Sequence, residues 1–281
     1  MGNLNKMFLA VLTRDVSDSG TDDPIVLIVN DSNVPGEDLL HATSPFSPSR
    51  GKANLFNLAK VAAIRKINPA NLTNSSIRVG LRGSDAWQPE LLFAWGDQDT
   101  NPSMGPQIPV TPLALSTDIR LTLSNDAGEG RISIPLRQVN VGSSSSLFNS
   151  LLVIVTTADK RNAGTDDEQV VLQIQDKASN IVLNRRFPAS TQDDQRRGRA
   201  NVYLLDNELN PRLQRDQIHD ITLTMLSHDA WLPESFFLFG LDDATPRTMV
   251  PLVSLPAWPA SWMSADLGEG VAQVTLPRVG V

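Results

Sequence analysis

An all-β protein built of two antiparallel sandwiches in tandem is what this sequence predicts. Three observations carry that reading. Short runs alternating apolar with polar residues dominate the 281-residue chain, turns rich in Gly beside Asp or Asn separate them, and the whole pattern occurs twice. GTDDPIVLIVND at 20–31 returns as GTDDEQVVLQIQD from 164, and SDAWQPELLFAWG at 84–96 returns as SHDAWLPESFFLFG ending at 240. Gly20 to Gly164 and Asp85 to Asp229 are both 144 positions apart, an offset that two unrelated motifs do not share by chance. RGKANLF (50–56) with RGRANVY (197–203), and GEGRISIPLRQV (128–139) with GEGVAQVTLPRV (268–279), complete the set at offsets of 147 and 140. Loops change length while strands stay fixed.

Taken in order, each repeat opens on an apolar strand, FLAVLT or LVIVT, followed by a Gly-Thr-Asp turn and a second strand, VLIVN or VLQIQ. The segment ANLFNLAKVAAIRKI (53–67) has the best helical spacing and predicts one short helix in the first repeat; its counterpart ANVYLLDNELN is shorter and more polar. IRVGL, IRLTL and ISIPL follow as strands, with ITLTM and VTL in the second repeat. DAGEG between IRLTL and RISIPL reads as a hairpin loop. Gly142-Ser143-Ser144-Ser145-Ser146 has the composition of a flexible connector. The expected domains are therefore 1–141, a linker at 142–146, and 147–281, each half near ordinary single-domain size.

The chain carries 20% charged residues and a formal net charge of −7 without a Lys/Arg stripe, which argues against a nucleic-acid partner and against simple docking on an anionic membrane. It has no cysteine, so disulfides and thiolate chemistry are excluded. No apolar run approaches the ~20 residues of a membrane-spanning helix. MGNLNKMFLAVLTRD aligns with the start of the second repeat and reads as the first strand. It predicts no cleavable signal peptide, and hence a cytoplasmic protein or one exported without such a signal. Sequons at Asn30, Asn71 and Asn74 matter only in a eukaryotic secretory route.

The order of these motifs resembles PLAT/LH2 (lipoxygenase-homology) domains. The resembling features are a first strand leading to a Gly-Thr-Asp turn, then a basic-Gly segment with an aromatic residue (Arg50, Gly51, Phe56; Arg197, Gly198, Tyr203). A late Asp-x-Trp follows (Asp85, Trp87; Asp229, Trp231). The resemblance spans about residues 7–96 and 150–240 and does not include the family's usual final aromatic strand. It implies eight-stranded sandwiches that bind a lipid surface or a protein partner, sometimes with Ca²⁺, with chemistry residing in attached domains.

Candidate functional groups follow from residue type and position. The resemblance implies that the first acidic turn lies near the loop of the late Asp, bringing Asp22 and Asp23 toward Asp85, and Asp166 and Asp167 toward Asp229, with Asp97 and Asp99 or Asp242 and Asp243 following the next strand. Ca²⁺ takes six to eight oxygen ligands, which carboxylates and loop carbonyls supply, although Asp-rich turns also form for backbone reasons alone. Trp87 and Trp231 recur at one position, as core or as partner contact. Trp258 and Trp262 sit in the proline-rich LPAWPASW, as satellite core or exposed anchor. Arg185, Arg186, Arg196, Arg197 and Arg199 form the only basic concentration, around Asp193 and Asp194. It is either solvated and locally neutralised or a weak contact for phosphate or an acidic partner. His41, His219 and His228 match no catalytic motif, so no enzyme is expected, and a hydrolase on a sandwich scaffold has least support. The leading expectation is a binding module acting through sandwich loops. The alternative is a structural component of a larger particle, with self-association.

Overall fold

A computed structural model describes residues 2–31, 34–38, 48–58, 62–97, 110–165, 169–188, 196–259, 261–266 and 268–280. The chain forms two compact units that divide between Asn140 and Val141. The first contains β1 (Lys6–Thr13), β2 (Ile25–Asp31), β3 (Val34–Asp38), β4 (Ala53–Asn57), β5 (Ile77–Leu81), β6 (Pro89–Asp97), β7 (Val110–Ser116) and β8 (Ser133–Pro135). The second contains β9 (Ser150–Thr157), β10 (Val170–Asp176), β11 (Ile181–Arg186), β12 (Ala200–Leu205), β13 (Ile218–Met225), β14 (Pro233–Leu241), β15 (Thr248–Leu255) and β16 (Gln273–Thr275).

Within the first unit the strands pair in the orders β7-β6-β1-β4 and β3-β2-β5-β8. Within the second the orders are β15-β14-β9-β12 and β11-β10-β13-β16, the same arrangement with every label advanced by eight. All of the neighbouring strand pairs within each unit whose registers are resolved run antiparallel. Each unit is thus an all-β sandwich.

The burial pattern follows from strand position. β10, VVLQIQD, buries Val170, Leu172 and Ile174 completely and leaves Val171, Gln173 and Gln175 partly exposed, the period-2 signature of a strand covered on one face. β1 and β9 are central strands paired on both sides, and they read instead as nearly continuous apolar runs, FLAVL and LLVIV. Met7, Leu9 and Val11 enter the first unit's core, whereas Phe8 stacks on Trp95 at 5.3 Å between ring centroids, and Trp95 on Phe93 at 4.9 Å. The second core joins Leu151, Val153 and Val155 to Leu172, Ile174, Ile221 and Leu223. Each such side chain contributes roughly 1.5–3 kcal/mol when withdrawn from water.

Three sequence expectations are corrected. Residues 53–57 are a strand, because Ala53 to Asn57 pair along β1 from Leu12 to Phe8; among the described residues of the segment, Ala62–Lys66 winds as a short 3₁₀ helix. IRLTL is not a strand; its Leu123 makes isolated bridges, antiparallel to Trp87 and parallel to Arg131. The Gly/Ser linker is a closed turn on the second unit instead of a free tether. The Gly142 amide donates to Met249 O at 2.8 Å, Ser143 N to Ser146 Oγ at 2.9 Å, and the carbonyls of Ser144 and Ser145 accept from Asp216 N and Gln214 Nε2. Serine composition reports backbone freedom, and here hydroxyls and carbonyls remove that freedom by finding partners. Among the described residues no helix is long and apolar enough to cross a membrane.

Candidate functional site

The loop end near Trp87, and its counterpart near Trp231, is where the predicted residues gather. β1 and β9 each end in a register shift, between Leu12 and Thr13 and between Thr156 and Thr157. The shift turns the threonine hydroxyl inward. Trp87 Nε1 donates to Thr13 Oγ1 at 3.0 Å, and Trp231 Nε1 to Thr157 Oγ1 at 2.9 Å. Both tryptophans are 0% exposed. The partner-contact reading of Trp87 and Trp231 is therefore corrected: a ring with no accessible surface anchors the core and cannot touch a ligand.

Around each tryptophan the loops lock together. Leu123 and Trp87 exchange backbone hydrogen bonds at 2.8 Å in both directions, as Met263 and Trp231 do at 2.7 and 2.8 Å. Ser124 Oγ donates to Ser84 O at 3.2 Å and accepts from Asp126 N at 3.0 Å; Ser264 does the same with His228 O and Asp266 N. The basic-Gly motif is explained by backbone and charge together. Gly51 and Gly198 have φ of 64° and 68°, a left-handed geometry that favours glycine. The preceding arginines reach back to the first turn, Arg50 Nε to Asp15 Oδ1 at 2.7 Å and Arg197 Nε to Asp159 Oδ1 at 2.6 Å.

The predicted acidic set divides. Asp22, Asp23 and Asp85 do come together: Asp85 Oδ2 accepts from Asp22 N at 3.1 Å, and Asp23 Oδ2 from Asp85 N at 2.7 Å. Asp97 does not join them. It closes β6, whose nine residues put it about 27 Å along the strand from the Trp87 end, and it is buried at 2% exposure. Asp242 likewise lies beyond the far end of β14, where its Oδ1 accepts from Thr248 N at 2.6 Å and Ala244 N at 3.2 Å to cap a turn. Asp229 is exposed and its amide is held by Ser227 Oγ at 3.0 Å. Asp166, Asp167 and Asp99 lie outside the described residues. Among the described residues no group of three or more His, Asp or Glu is disposed to hold a metal ion. In the described part of the set, one oxygen each of Asp23 and Asp85 is engaged by a backbone amide.

The second pair of tryptophans also divides. Trp258 is 8% exposed in the second core, its Nε1 donating to Ser261 O at 3.0 Å, so it is core and not an anchor. Its amide bonds Glu234 O as that of Ile119 bonds Glu90 O, which makes it the bulkier counterpart of a buried isoleucine. Trp262 is half-buried, lying on Ala158, Ala163 and Leu232 and keeping an accessible edge. In the basic stretch, Arg197 pairs with Asp159 and Arg185 with Glu208 at 3.2 Å, and burial, aided by Arg196, holds the Arg199 guanidinium below its ordinary pKa. Asp193 and Asp194 lie outside the described residues. His219 Nδ1 lies 2.9 Å from Asp220 Oδ2 in the open, His228 is exposed, and His41 lies outside the described residues.

Sequence reasoning missed the exposed apolar side chains beside the hairpins. Leu121 is 39% and Ile132 61% exposed in the first unit, Leu226 47% and Val271 40% in the second. They are not counterparts: Leu81 N donates to Ile132 O as Met225 N does to Ala272 O, and Arg131 N to Thr122 O as Val271 N does to Trp262 O, so Ile132 answers to Ala272 and Val271 to Arg131. The alternation of RISIPL puts Ile132 in phase with the buried Ile134. The ladder begins only at Ser133, so Ile132 sits in a bend and faces water.

No family model matches the chain, and no curated protein sequence matches it. Among solved structures, alpha toxin from Clostridium absonum is similar at 17% identity and a TM-score of 0.35, over 48% of this chain and 33% of the toxin chain. This chain thus spans about a third of that protein's length.

Proposed function

We propose that the chain is a non-catalytic binding protein in which two PLAT/LH2-like sandwiches offer their hairpin ends to a lipid surface or a protein partner. The observation that supports this most is that each unit leaves two large aliphatics in water, Leu121 and Ile132 in one and Leu226 and Val271 in the other, although at positions that do not correspond. Large aliphatics left in water beside a rigid hairpin gain free energy when a partner covers them, at roughly 25 cal/mol per Å². The half-exposed Trp262 extends that surface in the second unit. The polar groups behind it are engaged in holding loops together, which suits recognition rather than bond chemistry.

The test uses the full chain with phosphatidylcholine and phosphatidylserine-containing vesicles, with and without Ca²⁺, alongside light scattering. Leu121→Asp with Ile132→Asp, and Leu226→Asp with Val271→Asp, are expected to weaken sedimentation with vesicles by about tenfold or more. Unfolding stability should stay within about 0.5 kcal/mol, as for surface changes. Vesicle binding untouched by all four substitutions would sink the reading. A concentration-dependent mass abolished by the same substitutions would instead support the assembly role.

A further inference from the structure

We draw no further inference here: the strongest candidate, the half-buried Trp262 with the exposed Leu226, Val271, Lys160 and Arg161 at the hairpin end of the second unit, belongs to the surface already described, and nothing in the structure shows what covers it.

Discussion

Two residues set the geometry of each loop end. A buried indole N–H must find an acceptor, and here the strand supplies one by slipping its register at Thr13 or Thr157. Thr157→Val keeps the volume and removes the acceptor, so the Trp231 N–H is left unsatisfied at about 1–3 kcal/mol. Urea unfolding followed by circular dichroism should show that loss, and Thr157→Ser should restore most of it; equal stability of all three proteins would refute the role. Asp176 acts at the same scale in the turn after β10. Its Oδ2 accepts from the Asn180 side chain at 2.9 Å, and its Oδ1 from the amides of Asn180 and Ala178 at 2.8 and 2.9 Å. These bonds, the Asn180 side chain first, hold its carboxyl below the ordinary value. A folded pKa below the unfolded one contributes stability above the ordinary carboxylate range, and that contribution is lost as pH falls through the folded pKa. Carboxyl-carbon NMR should give Asp176 a midpoint below the ordinary range, and Asn180→Ala should raise it.

The hairpin is the element that joins these residues to the surface. Its S-x-D-x-G-E-G sequence recurs because each position has a physical task. The serine bridges two loops, and the aspartate accepts from the amide two residues on at 2.8 Å in both units. The last glycine passes close beneath a backbone carbonyl. A Cβ at Gly270 would lie 2.5 Å from Trp262 O, and one at Gly130 2.6 Å from Thr122 O. Gly270→Ala should therefore destabilise by about 1–3 kcal/mol, as overpacking does, and Ser264→Ala by about 1 kcal/mol. Thermal melting separates these from a neutral loop change. Most strands and the Gly-Asp turns were legible because alternation and turn chemistry are local signals, but the expected hairpin was not, since IRLTL forms no strand and Leu123 bridges Arg131 in parallel. The Trp–Thr bond was not, since Thr13 and Trp87 lie far apart in sequence and only a bulge brings them together. ANLFN was misread as helix because local spacing says nothing of the β1 edge it fills, and Trp258 stayed open between core and anchor because its replacement of Ile119 is visible only through equivalent carbonyl partners, Glu234 O and Glu90 O. The acidic set was half legible. The resemblance implied that Asp22, Asp23 and Asp85 lie close, but reading Asp97 into the same set ignored the length of β6.

At the scale of the whole molecule, each unit has its own hydrophobic core cluster that includes a fully buried tryptophan, Trp87 in the first and Trp231 in the second. The strand order and the loop hydrogen bonds are matched between them, so the same substitution poses the same question twice. Trp87→Ala and Trp231→Ala should each cost about 3–5 kcal/mol through lost burial and a cavity that relaxes only in part. Because each ring contacts one core, the penalty belongs to that core and its strands. Hydrogen exchange is expected to lose protection in β1, β2, β5 and β6 for Trp87→Ala while β9, β10, β13 and β14 keep theirs, and the reverse for Trp231→Ala. Equal loss across both sets of strands in either variant would show a single cooperative fold. The two hairpin ends could not then be varied independently, and surface substitutions in one unit would have to be read against the stability of both.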